Sequence, residues 1–173
     1  FCEADRYHAP VTQDAPFAPG IGPWEAGLRP HTPFPADAVR RSVAARFWDV
    51  AEARADHLAL SSPAGRWTYG ELLTTARERA GGLVDAAGRR PVPVAVLATH
   101  DGPLVTTILS VLLAGHIVVV LDPAAPVPQH THILDECGPP VLLHDAAHAD
   151  LAAEIAATAS IAPTTLDLGT VTG

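Results

Sequence analysis

The stretch Leu112-Leu113-Ala114-Gly115-His116-Ile117-Val118-Val119-Val120-Leu121-Asp122-Pro123 constrains the chain more than any other. Its first residues continue a helical apolar stripe through Leu104, Ile108 and Val111. Gly115 suits the left-handed position just past a helix. Ile117 to Leu121 is β-branched and unalternated, the pattern of a strand covered on both faces of a parallel sheet. Asp122-Pro123 ends it, because proline cannot donate to a ladder and its predecessor is pushed out of the helical region. A helix feeding a doubly covered strand is half of a βαβ unit.

The flanking segments extend the pattern. Val39, Val43, Phe47, Val50 and Ala51 fall at helical spacing opposite Arg40, Arg46, Glu52 and Arg54. Leu58 to Ser61 and Arg66 to Thr68 read as two short strands joined through Pro63-Ala64-Gly65, a hairpin. Thr68 and Glu71 have the spacing of a capping box, which opens a helix carrying Leu72, Ala76, Ala80 and Leu83 inward and stopping at Gly88. Val92 to Ala98 is a strand too apolar to have a wet face. Asp101-Gly102-Pro103 then starts the helix that leads into Gly115. Beyond Pro123, Pro128 begins a helix through Ile133, Leu134 and Cys137, ended by Gly138. Val141 to His144 is a further buried strand, Ala147 to Ala159 an alanine-rich helix with Leu151 and Ile155 inward, and Thr164 to Leu168 one more strand. Alternating strands and helices predict an α/β layered sheet with flanking helices and right-handed crossovers.

Residues 1–38 differ in kind. They hold seven of the 17 prolines and no sustained periodicity, so they read as an extended Pro-rich arm or inter-domain linker, with Phe17, Trp24 and Phe34 as ring anchors. Residues 39–173 form the second, α/β unit. Gly20-Ile21-Gly22 lacks the preceding strand of a dinucleotide loop and reads as a turn. The absence of methionine, at position 1 included, predicts a piece of something longer.

Charge and composition exclude several functions. A formal charge of −8 disfavours nucleic acid or an anionic membrane as partner. No apolar run approaches the roughly 18–20 residues that span a bilayer, and no secretory leader opens the chain, so the expected location is cytoplasmic. Cys2 and Cys137 stand far apart and read as reduced thiols.

Candidate chemistry is sparse. Nine histidines invite a metal site, but His130 and His132 fall on different sides of a helix, and Asp145 with a change of element separates His144 from His148. Each reads as a satisfied or exposed histidine. Asp122 at a strand's carboxyl end fits a turn cap better than a catalytic acid, and Glu71 likewise reads as a cap. No nucleophile elbow occurs, and the chain has no lysine to serve a phosphate loop. The expectation is no catalytic, cofactor-binding or metal-ligating residue in this chain.

Three segments in order resemble the amino-terminal portion of the adenylate-forming (AMP-binding) enzymes, which include nonribosomal peptide synthetase adenylation domains, acyl- and aryl-CoA synthetases and luciferase. Trp67-Thr68-Tyr69-Gly70-Glu71-Leu72 resembles the family's Leu-Thr-Tyr-x-Glu-Leu signature. Leu109-Ser110-Val111-Leu112-Leu113-Ala114-Gly115, running on to Leu121-Asp122-Pro123, resembles its helix-Ala-Gly-strand-Asp-Pro signature. Pro126, Ile133-Leu134-Asp135-Glu136-Cys137-Gly138 and Val141-Leu142-Leu143 resemble the helix and strand that follow. The chain departs from the family at Val120, where proline is usual, at His116, where a small residue is usual, at Val118, usually aromatic, and at Gln129, usually arginine.

The resemblance implies the amino-terminal part of the large subdomain of an adenylate-forming fold. It implies a parent that activates a carboxylic acid with ATP and Mg²⁺ to an acyl-adenylate and passes it to a thiol carrier, with this segment as inactive scaffold. The family's Gly-rich, lysine-bearing phosphate loop falls beyond Gly173, so no residue here is carried over as catalytic or ATP-binding. The implied partners are the remainder of the adenylation domain or a complementary chain, and a carrier protein or upstream synthase domain. The alternative is a truncated, non-catalytic docking or structural module in a larger synthase. A free-standing nucleotide-binding domain would need a phosphate loop that the sequence lacks.

Overall fold

Four capping residues fix where the elements begin. The computed structural model describes residues 36–172, so residues 1–35 of the Pro-rich arm, with its three aromatic anchors and Cys2, lie outside the described residues. The Ser42 hydroxyl accepts from the Ala45 amide at 3.1 Å and starts α1, Val43–Ala53. Thr68 and Glu71 close a complete capping box at the head of α2, Tyr69–Ala87. Asp101 caps α3, Gly102–Leu113, with Pro103 in its first turn. Gly115 (φ 81°) and Gly138 (φ 62°) take the left-handed conformation that stops α3 and α4 (Val127–Cys137), as a residue without Cβ can at no steric cost. The last helix, α5, spans Ala149–Thr158 after a 3₁₀ turn at Ala146–His148.

The strands form two sheets. β1 (Leu58–Ser62) and β2 (Gly65–Thr68) make the expected antiparallel hairpin. β3 (Pro93–Leu97), β4 (Ile117–Leu121), β5 (Val141–His144) and β6 (Thr164–Asp167) make a parallel sheet in the order β4-β3-β5-β6. Alternate residues of β3 and β5 face opposite layers, following the period of two. Val94, Val96, Val141 and Leu143 pack with Leu83 of α2 and with Leu104 and Val111 of α3. Ala95, Leu97 and Leu142 pack with Leu134 of α4 and with Ala152 and Ile155 of α5. The chain steps from β3 outward to β4, then crosses back past β3 to β5. This reversal places α3 on one face and α4 and α5 on the other, as right-handed crossovers require.

The hairpin is clamped to the head of α3 by an aromatic contact. Trp67 lies so close to the head of α3 that a Cβ at Gly102 would sit 2.4 Å from its ring. Glycine at the capped start of α3 is therefore a packing requirement of the hairpin.

Three expectations are corrected. β4 is an edge strand in the described sheet, and its covering is incomplete: Ile117 is 57% and Val120 43% exposed. An apolar run specifies a strand without specifying neighbours on both sides. The first helix starts at Val43, because Ala36–Arg40 forms a 3₁₀ turn ahead of the Ser42 cap. Val39 and Val43 are accordingly exposed, and of that stripe only Ala51 is buried. Finally, His116 and His130 are neither satisfied nor exposed. They are 4% and 0% exposed, and their ring nitrogens have no hydrogen-bond partner among the described residues. His130 stands one turn before Leu134, the other buried residue of α4.

Candidate functional site at the carboxyl edge of the sheet

In an open parallel sheet, ligands collect at the carboxyl edge where the strand order reverses. Here that point lies between β3 and β5, since β4 is on one side of β3 and β5 on the other. Thr99, His100 and Asp101 follow β3; His144 ends β5, and Asp145 and His148 follow it.

Asp145 joins the two loops. Its carboxylate accepts from the Thr99 amide at 2.8 Å, the Thr99 hydroxyl at 2.9 Å, the His148 amide at 3.1 Å and His148 Nδ1 at 2.5 Å. The Asp145 amide donates to the Leu97 carbonyl at 3.3 Å, and the His144 ring meets the Asp145 carbonyl at 3.0 Å. Burial opposes ionisation of Asp145, but the Thr99 amide, the His148 ring and the Thr99 hydroxyl outweigh it and hold the carboxyl below the usual range. Asp145 and His148 thus meet despite the break between β5 and α5. Thr99 was not readable as their partner, because it lies 46 residues away in the chain.

The other strand ends carry aspartates too. Asp101 accepts from the Gly102 amide at 2.6 Å, Asp122 from the Ala124 amide at 3.0 Å and Asp167 from the Gly169 amide at 2.6 Å. Asp122 and Asp167 each close a turn at their own strand end, and Asp101 caps α3. Asp122 is the turn cap its Asp-Pro context predicts.

Residues 91–173 contain eight Asp and Glu and neither Lys nor Arg, so an anion at the carboxyl edge would meet carboxylates with no cation from this half of the chain. The Thr99 and His148 amides there already donate to Asp145. Among the described residues, no three His, Cys, Asp or Glu side chains converge to hold a metal ion. His130 and His132 are separated by burial, the first enclosed and the second exposed.

A second candidate, Glu71, borders a cleft of about 520 Å³ lined also by Ala55, Asp56, Thr68, Gly70, Thr74 and Thr75. Its carboxylate is engaged by the Thr68 amide at 2.8 Å and the Thr68 hydroxyl at 3.1 Å. Those two bonds, the amide's first, hold its carboxyl below the usual range. An ionised, doubly bonded capping group is a poor general base.

The match to known proteins runs across this whole unit. Residues 47–171 match the family model described as AMP-binding enzyme. The chain belongs to the AMP-binding enzyme family. It is 30% identical over 112 residues to surfactin synthase subunit 1 of Bacillus subtilis, covering 65% of this chain and 3% of that protein. It is 34% identical over 116 residues to nonribosomal peptide synthetase 5 of Gibberella zeae, covering 67% and 1%. The fold is shared with the nonribosomal peptide synthetase FmoA3 in its α-methyl-L-serine-AMP bound form (TM-score 0.64, 24% identity, 75% of this chain and 14% of that one). It is shared also with a benzoate CoA ligase of Burkholderia xenovorans LB400 (TM-score 0.66, 18% identity, 75% and 28%). The chain therefore spans a small fraction of the proteins it resembles. Thr68 and Glu71 in the first family-like signature, and Gly115 and Asp122 in the second, serve as helix cap, helix stop and turn cap.

Proposed function

We propose that this chain is the amino-terminal scaffold of an enzyme that activates a carboxylic acid with ATP to an acyl-adenylate and transfers the acyl group to a thiol carrier. The acid is an amino, aryl or acyl acid, and the setting is natural-product biosynthesis. ATP and Mg²⁺ are held by the remainder of the domain or a complementary chain, and the acceptor is a carrier protein of the same synthase. The reading rests on one observation: a family match over residues 47–171 whose carboxyl-edge aspartates are already engaged by the chain's own amides. The segment's task is to present a rigid sheet edge to the parts that grip nucleotide and acid.

Acid-dependent ATP–pyrophosphate exchange tests this. The 173-residue chain alone is expected to give no exchange with amino, aryl or fatty acids. The same assay on the chain joined to its downstream coding sequence is expected to show exchange with one acid class. Exchange by the isolated chain would overturn the scaffold assignment.

A further inference from the structure

After β6 the chain crosses to α2. Asp167 turns it, its carbonyl accepting from the Thr170 amide at 3.0 Å and the Thr170 hydroxyl at 2.8 Å. Leu168 and Val171 then bury their side chains with Leu83 of α2 and with Leu104 and Val111 of α3. Thr172 passes so close to α2 that a Cβ at Gly82 would sit 2.9 Å from its carbonyl oxygen. Glycine inside a helix is otherwise unfavourable, so this close approach is what position 82 accommodates. Arg79 lies one turn earlier on the same face of α2. Its half-buried guanidinium donates to the Thr107 hydroxyl of α3 at 3.4 Å, and no carboxylate pairs with it among the described residues. Arg77 of the same helix, by contrast, is exposed and lies over the Trp48 ring. Burial disfavours the Arg79 charge, yet an arginine cannot shed its proton. A guanidinium in that position is stabilised by a carboxylate, which it can grip with two parallel bonds.

We propose that the face of α2 carrying Arg79 and Gly82 is where the remainder of the domain packs, bringing a carboxylate to the Arg79 guanidinium. The proposal rests on the scaffold reading above, in which the nucleotide-holding parts belong to further chain of the same domain. Two separate observations select the face and its occupant. The course of the chain delivers Thr172 to Gly82, so whatever follows it starts on this face. The unmet charge one turn away defines the chemistry that it carries. A second copy of this chain has no such route to the face.

Thermal melts of Arg79→Leu and Arg79→Lys in two contexts test this: the 173-residue chain, and that chain joined to its downstream coding sequence. In the 173-residue chain, Arg79→Leu is expected to hold or raise the melting midpoint, because it removes a half-buried charge that has no anion. In the joined protein it is expected to lower the midpoint by several degrees, with Arg79→Lys recovering most of the loss. Gly82→Ala supplies a second handle, because alanine favours the helix but displaces the backbone at Thr172. It is expected to speed amide exchange at Leu168 and Val171 and, in the joined protein, to shrink the Arg79→Leu loss. Equal effects of Arg79→Leu in the two contexts, no recovery by lysine, or a full loss on the Gly82→Ala background would each overturn the proposal. Pyrophosphate exchange by the same joined wild type keeps the two readings apart. Exchange with equal Arg79 effects sinks this surface alone, and a context-dependent Arg79 effect without exchange sinks the acid-activation reading alone.

Discussion

β3 and β4 read alike in sequence, as short apolar runs between helices, and they occupy opposite situations. Val94, Ala95, Val96 and Leu97 of β3 are each fully enclosed, while β4 leaves Ile117 and Val120 open. The difference is positional. β3 is hydrogen-bonded to a strand on each side, β4 on one side only among the described residues. An apolar run therefore reports the layer a strand belongs to, and the reversal of chain direction decides whether it is central or peripheral.

Substitutions graded between the two strands probe that difference. Leu97→Ala removes a large side chain from the enclosed layer and is expected to cost about 2–5 kcal/mol in denaturant unfolding. At the carboxyl end of the same strand's connection, Gly102→Ala drives a methyl group into the Trp67 ring. It should cost about 1–3 kcal/mol, and Trp67→Ala in the same chain should relieve the clash, giving a non-additive double-mutant cycle. His130→Leu removes two unpartnered ring nitrogens from the layer beneath β3 and β4. A gain of about 1 kcal/mol is expected, and a loss would mean that the ring has a partner. Val120→Thr on the edge should change stability by less than about 0.5 kcal/mol.

Asp145 gives the comparison a pH axis, because it ties the end of β3 to the end of β5 and does not touch β4. Its folded-state carboxyl is held below the usual range, so its contribution is present above the unfolded value and lost as pH falls through the folded one. Thermal melts from neutral to acid pH should show a steeper decline in the wild type than in Asp145→Asn. Equal slopes would show that the Thr99 and His148 bonds contribute nothing to folding.

Local signals placed most of the elements. Ser42 apart, the caps and stops at Thr68, Asp101, Gly115 and Gly138 were readable, because each acts within a few residues of itself. Sheet order was not, so β4 read as covered on both faces. The same gap explains His130. Helical spacing puts it on the face of Leu134, yet composition around a histidine does not reveal whether its nitrogens find partners. At the carboxyl edge, Asp122 declared its turn through Pro123. The Thr99–Asp145–His148 network joins two loops that only the parallel register brings together.

Titrating ATP with magnesium into the isotopically labelled chain tests the scaffold assignment most directly. A carboxyl edge whose four aspartates are already engaged by the chain's own amides, in a half of the chain without lysine or arginine, predicts no saturable shift at Thr99, His100, Asp122, Asp145 or His148. Saturable shifts centred on the crevice between β3 and β5 would contradict it and make this chain a nucleotide-binding domain in its own right.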